Sequence, residues 1–371
     1  MNVLIRQVKI VGDCLKNLNQ HKIESFQTNL VHWYEQHKRD LPWRKNQDPY
    51  QIWVSEVMLQ QTRVDTVIPY YERFMRLFPE MDDLAYAEED AILKVWEGLG
   101  YYSRVRNLQK GVREVVEHYG GQVPKSRKEM ESLKGVGPYT AGAILSIAYD
   151  LPEPAVDGNV MRVLSRVFHV TDDIAKPSTR KIHEAILYEA IDKNNPSSFN
   201  QGLMELGALV CTPTSPGCLL CPVREQCEAF SLGLQEALPI KSKKKKAKTI
   251  HLDAFLLIDQ EKKVYIEKRP SEGLLAGLWQ LPMLPQASSD DERQESLQQA
   301  YEITEKVHKQ PFHVKHVFSH IIWEIDLYIG DVSLLTVPEQ WKAVSKEEIE
   351  GYAFPVSQQK VLSYCLEEGL I

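Results

Sequence analysis

Four of the six cysteines fall within one short stretch, in the spacing Cys211-x6-Cys218-x2-Cys221-x5-Cys227. A segment that carries four sulfur ligands so close together, stiffened by Pro213, Pro216 and Pro222, has to be a loop closed around a centre. In a chain without a secretory leader this clustering favours a metal over disulfides. Zinc would accept four thiolates, but zinc sites usually come as two close pairs with a long intervening loop. A single loop that supplies all four better suits an iron–sulfur cube. Cys14 and Cys365 stand alone and read as incidental.

No run of 18 apolar residues occurs, so no membrane span is expected. The N-terminus mixes Val3, Leu4 and Ile5 with Arg6 and Gln7 and lacks a continuous apolar core before a small-residue cleavage site. A cytoplasmic protein is expected. The 371 residues suggest two or three domains. The net charge of −7 argues at first sight against a nucleic-acid partner, but it is an average. Residues 1–240 carry a net of −4, residues 241–250 hold six lysines and no acid, and residues 251–371 carry a net of −9.

The change of sign coincides with a change of pattern. Asp48-Pro49-Tyr50-Gln51 reads as a helix start, with an N-cap Asp, Pro at the first helical position and Gln at the third. Amphipathic stretches follow at 64–78, 88–97, 103–119, 126–133, 140–149, 159–168, 178–192 and 198–210. Residues 233–250 read as a lysine-rich linker. Beyond it, 251–259, 263–268 and 317–329 look like strands. The expected architecture is multi-domain: an extension over 1–24, an all-α core over 25–232, the linker, and an α+β domain over 251–371. The lysine run could touch phosphate or simply be solvated.

Three local features carry chemistry. In Leu133-Lys134-Gly135-Val136-Gly137-Pro138, two glycines permit a tight turn and Pro138 suits the first position of the next helix. The amides of Lys134, Gly135, Val136 and Gly137 would then form an anion site that needs no net positive charge, unless the segment is an ordinary helix–turn–helix corner. Glu56 lies inside an apolar helix, and Asp157 lies after a proline-broken turn before another helix. Singly they read as a solvated glutamate and an N-cap. Together they suit glycosidic cleavage, with one protonated acid in a dry pocket and one ionised carboxylate in a polar site.

The hairpin, Asp157 and the cysteine spacing resemble the helix-hairpin-helix DNA glycosylases that carry a [4Fe-4S] cluster. Within them, Asp40-Leu-Pro-Trp-Arg44, Ser55-Glu-Val-Met-Leu-Gln-Gln-Thr62, Gly98-Leu-Gly-Tyr-Tyr-Ser-Arg104 and Asp157-Gly-Asn159 resemble the adenine DNA glycosylases of MutY type, over roughly residues 25–371. The resemblance implies a monomer that excises adenine mispaired with 8-oxoguanine or G in double-stranded DNA. It implies Glu56 as the acid at adenine N7 and Asp157 as the partner of the cationic sugar. Tyr139 and Asn159 would position water and carboxylates, and Arg44 and Gln201 would contact the adenine. Gln61 and Tyr101 would fill or wedge the stack after base flipping. Cys211, Cys218, Cys221 and Cys227 would hold the cluster. Trp43 reads as core.

Residues 273–282 and 316–320 resemble the family's Nudix-like C-terminal module, without the glutamate-rich metal box of true Nudix hydrolases. Phe318, Ser319 and His320 would sit at the 8-oxoguanine, where a serine hydroxyl can both donate and accept. His308, His313, His316 and His320 could instead suggest zinc, though strand-surface histidines are the simpler reading. Endonuclease III-type lyases carry a lysine where this chain has Tyr139, and a tyrosine cannot form a Schiff base. The competing functions are such a bifunctional lyase and a non-catalytic DNA-binding iron–sulfur module.

Overall fold

The computed structural model describes residues 20–242, 246–333 and 337–371. Residues 1–19, most of the expected extension, and Lys243–Lys245 of the linker lie outside them. The described residues form two compact units, one made of 20–86 with 107–242 and the other of 87–106 with 246–333 and 337–371. This differs from the linear division read from the sequence, because 87–106 groups with the C-terminal strands. The first described helix begins at Gln20, within the segment read as an extension.

The helices are α1 (Gln20–His37), α2 (Pro49–Leu59), α3 (Val64–Leu77), α4 (Met81–Ala85), α5 (Glu89–Val95), α6 (Ser103–His118), α7 (Arg127–Ser132), α8 (Pro138–Tyr149), α9 (Gly158–Val167), α10 (Pro177–Ala190), α11 (Pro196–Leu209) and α12 (Glu228–Ser231). Proline opens α2, α8, α10 and α11, where its missing N–H removes no intrahelical bond. Asp48 caps α2 by accepting from the amides of Tyr50 and Gln51. The Gln51 side chain does not close a capping box, because its Oε1 accepts from Asn46 and Tyr71 instead. Phe26 and Leu30 of α1, Val163 and Leu164 of α9, Ile186 of α10 and Phe199 of α11 share one core. Both α2 and α9 are buried on nearly every side.

In the second unit, β1 (Lys248–Ile258), β2 (Val264–Lys268), β3 (Trp279–Gln280), β4 (Met283–Pro285), β5 (His308–Val317), β6 (Ile321–Asp331) and β7 (Trp341–Val344) form a mixed sheet. The main path runs β3-β2-β1-β6-β5, with β4 on β1 and β7 on β2. The β1–β6 pair is parallel, from Lys248↔Ile321 to Ile258↔Asp331. Leu256 and Ile325 point to one core, with Val361 of α15 (Val356–Glu367), which follows the short α14 (Lys346–Ile349). Phe255 and Leu257 point to the other, with Leu297 of α13 (Asp290–Tyr301). Burial on both faces explains the continuous apolar run in β1. The expected strand over 317–329 is instead a hairpin: β5 ends at Val317, Phe318–His320 turn, and β6 begins at Ile321. Among the described residues no helix is long and apolar enough to cross a membrane.

Candidate active site

Glu56 projects from α2 into a cavity of about 150 Å3, also lined by Arg44, Tyr139, Asp157, Asn159 and Gln201. The structure therefore brings together six residues that lie far apart in the sequence. Burial pushes the Glu56 carboxyl up to about 7; a hydrogen bond from Tyr139 opposes this, the nearby Asp157 adds to it, and Arg44 opposes it. The Tyr139 hydroxyl donates to Glu56 Oε2.

Asp157 lines the cavity and is the N-cap that its sequence position suggested. It caps α9, its Oδ1 accepting from the Val160 amide at 2.6 Å, and its Oδ2 accepts from Asn159 Nδ2 at 3.1 Å. Burial nevertheless raises its pKa; the Val160 amide and Asn159 pull the other way. The expected polar partners are present, and Asp157 is partly exposed where Glu56 is buried.

Two small features hold this loop in place. A Cβ on Gly142 of α8 would lie 1.8 Å from the Pro154 carbonyl oxygen, so only glycine lets α8 pass so close. Asn200 Nδ2 donates to the Glu153 carbonyl at 2.8 Å. Asn159 is held in turn by Arg162, whose Nη2 donates to its Oδ1 at 2.8 Å.

Sequence reading missed the cavity's charged anchor. Glu205 on α11 is 1% exposed and accepts from Arg39 Nε at 2.7 Å and from Arg44 Nη2 at 3.0 Å. Burial alone would raise its pKa, but the two guanidinium groups outweigh burial and hold it down at about 2. Arg44 then turns its Nε to Gln201 Oε1 at 3.2 Å. The only sequence signal was a glutamate among the apolar residues of α11. Trp43, expected in the core, is buried against Tyr71 but also lines the cavity.

The hairpin departs in part from expectation. Gly135 sits at φ +78° with Asn107 pressed against it, as a tight turn requires. The Lys134 amide, however, donates to Glu114 Oε2 at 2.9 Å, and the Val136 amide donates to the Leu133 carbonyl at 3.1 Å. The Val136 side chain is buried. Of the four expected donors, only the Gly135 and Gly137 amides take neither a backbone nor a side-chain acceptor among the described residues. Gln61 is exposed at φ +60° in the turn after α2. This is an uncommon conformation for a residue with a Cβ.

The four clustered cysteines are free thiols lining one pocket. Burial raises Cys221 to about 12 and Cys227 to about 11. Buried Arg166 donates from Nη1 to Cys211 Sγ at 3.2 Å, and Arg162 Nε donates to the Cys211 carbonyl at 2.7 Å. Among the described residues, no three His, Cys, Asp or Glu side chains converge as a single-ion site, the four histidines included. His313 instead pairs with Asp326 at 2.8 Å. Cys365 is core; Cys14 lies outside the described residues.

In the second unit, Tyr101, Phe318, Ser319 and His320 line a cavity of about 560 Å3. The Tyr101 and Ser319 hydroxyls are hydrogen-bonded at 2.7 Å. Like Gln61, Tyr101 is an exposed non-glycine residue at positive φ, here +48°. Phe318 packs edge-on against Trp323, so it anchors the turn and leaves Ser319 and His320 exposed.

Residues 54–188 match the HhH-GPD superfamily of base excision DNA repair proteins, and residues 253–364 match the NUDIX domain. An adenine DNA glycosylase of Mus musculus is 36% identical over 91% of this chain and 77% of its own. That of Homo sapiens is 34% identical over 92% of this chain and 74% of its own. The chain belongs to the adenine DNA glycosylase family. A solved thermostable thymine-DNA glycosylase superposes with a TM-score of 0.51 at 27% identity, over 59% of this chain and 99% of its own. That likeness spans about the share of the chain taken up by the helical unit. The cavity around Glu56 and Asp157 brings together two carboxyls, one of them on a helix N-terminus, with amide and guanidinium donors.

Proposed function

We propose that the protein is a monofunctional, monomeric, cytoplasmic glycosylase that removes adenine paired with 8-oxoguanine or G in double-stranded DNA. The observation that carries this is the pair Glu56 and Asp157 in one cavity. With its pKa near 7, Glu56 holds a proton at neutral pH for N7 of an extruded adenine. Tyr139 occupies Oε2, which leaves Oε1 to carry that proton. As the glycosidic bond lengthens, positive charge grows on the sugar and is stabilised by the Asp157 carboxylate, which Val160 and Asn159 already hold in place. Arg44, set by Glu205, and Gln201 present polar groups to the base. Water completes the reaction and leaves an abasic site. Tyr139 offers a phenol where strand cleavage would need an amine.

The donor set fits a [4Fe-4S] cluster: four free thiols around one pocket, with Arg166 bonded to one sulfur and able to offset anionic charge. Cys211, Cys218, Cys221 and Cys227 would hold it, and bound iron would keep these buried thiols as thiolates. The residues between the cysteines would then be fixed as a rigid loop. In the second unit, Ser319 and His320 are exposed on the turn that Phe318 anchors, where a donor–acceptor hydroxyl suits the altered N7–H and O8 edge of 8-oxoguanine. Lys134 and the Gly135 and Gly137 amides supply phosphate contacts, and Gln61 and Tyr101 stabilise the opened stack.

The test is product analysis on a duplex with a single 8-oxoguanine·A pair. Adenine release with strand breakage only after heat or alkali is expected. Spontaneous nicking trapped by borohydride would establish a lyase, and DNA binding without base release would leave only a non-catalytic module.

A further inference from the structure

A groove of about 440 Å3 adjoins the catalytic cavity, and the two share Leu59, Tyr139 and Asp157 in their walls. Across it from the Gln60–Gln61 turn and from Gly135 and Gly137 stands Arg180, in the first turn of α10. Arg180 is half-buried and makes no hydrogen bond or ion pair among the described residues. The nearby arginines differ: Arg127 is paired with Glu131 and Glu153, and Arg162 and Arg166 are bonded to carbonyls and a thiol. The charge of Arg180 is felt by the Tyr139 phenol and, on its own helix, by His183 and Glu184. A half-buried guanidinium has lost part of its hydration, and a flat fork of donors facing an open groove matches a phosphate.

The shared wall supplies the geometry. Asp157 lies on the wall shared by cavity and groove, so a base drawn into the cavity with its sugar at Asp157 puts the adjoining phosphate within the groove's reach. We propose that Arg180 clamps the phosphate next to the extruded nucleotide and so holds the sugar against Asp157. It is a positioning residue rather than a catalytic one. The inference rests on the glycosylase reading and adds a subsite to it.

The test uses the full chain as wild type, Arg180→Ala and Arg180→Lys. Binding is measured on an 8-oxoguanine·A duplex whose adenosine is 2′-fluorinated to resist cleavage, with neutral methylphosphonates replacing one phosphate at a time around the target. Arg180→Ala should weaken binding by about tenfold and reduce the slope of log K against log salt by about 0.9. One methylphosphonate beside the target should weaken the wild type by a similar factor and leave Arg180→Ala unaffected, while Arg180→Lys keeps part of the binding. Identical phosphate scans in wild type and Arg180→Ala would overturn the clamp, because a merely structural loss would leave the pattern along the strand unchanged. Adenine release by the wild type from unmodified duplex reads the glycosylase assignment separately. The clamp alone fails if the wild type releases adenine and Arg180→Ala matches it in affinity, salt slope and phosphate scan.

Discussion

Glu56 has to meet two demands that conflict: it must be buried enough to keep a proton near neutrality, yet reachable by a base. Its pKa of about 7 lies above its value of 4.5 in an unfolded chain, because burial disfavours the carboxylate. The acid form works, so excision should fall as pH rises through about 7. For stability the sign is the same. A raised acid favours the fold most below its unfolded pKa, and that contribution is lost as pH rises from 4.5 through 7. By linkage the swing is about 3 kcal/mol. Glu56→Gln should abolish excision while DNA binding persists, and should flatten the pH dependence of urea unfolding over this window. Retained turnover, or an unfolding profile as steep as wild type, would remove Glu56 from the acid's role.

The elements that place these carboxyls depend on close approaches of backbone. Where Gly142 of α8 meets the Pro154 carbonyl, an added methyl has nowhere to go. Gly142→Ala should therefore lower stability by about 1–3 kcal/mol and reduce excision more than DNA binding, because it displaces the loop that ends at Asp157. Denaturant titration alongside single-turnover rates would check both. The helices were legible in the sequence because their starts are written locally, in Asp48-Pro49 and Gly137-Pro138. The cysteine loop and the hairpin were legible for the same reason, as contiguous signals. β5 was not: His308–Val317 is a polar edge strand with Pro311 and an irregular register between Lys309 and His313, so it lacks the apolar alternation that marks a strand. The hairpin's amide accounting was hidden too, since Glu114 claims the Lys134 amide from α6. Glu205 could not be read as an anchor, because its partners Arg39 and Arg44 lie more than 160 positions away. Only the fold brings such residues together.

For the molecule as a whole, the net charge of −7 turns out to be a poor guide to partners. The groove beside the cavity offers glycine amides and one half-buried arginine, local features that a sum over the chain dilutes. The two units also divide the proposed work, with chemistry in the helical unit and lesion reading in the other. Ser319→Ala combined with His320→Ala should thus reduce the preference for 8-oxoguanine·A over G·A while leaving excision at G·A nearly unchanged; competition between the two duplexes would measure it. An unaltered preference would take the reading role from this turn.

The bond between the Tyr101 and Ser319 hydroxyls ties two proposed duties to a single interaction. If a ligand draws Ser319 into a new hydrogen bond, the phenol is released, and if the phenol moves first, the serine is released. Either event lowers the free energy needed for the other by the same amount, as thermodynamic reciprocity demands. At about 1 kcal/mol for such a bond, the effect is a severalfold bias toward both happening or neither. A surface that meets one condition alone would be held less firmly than one that meets both.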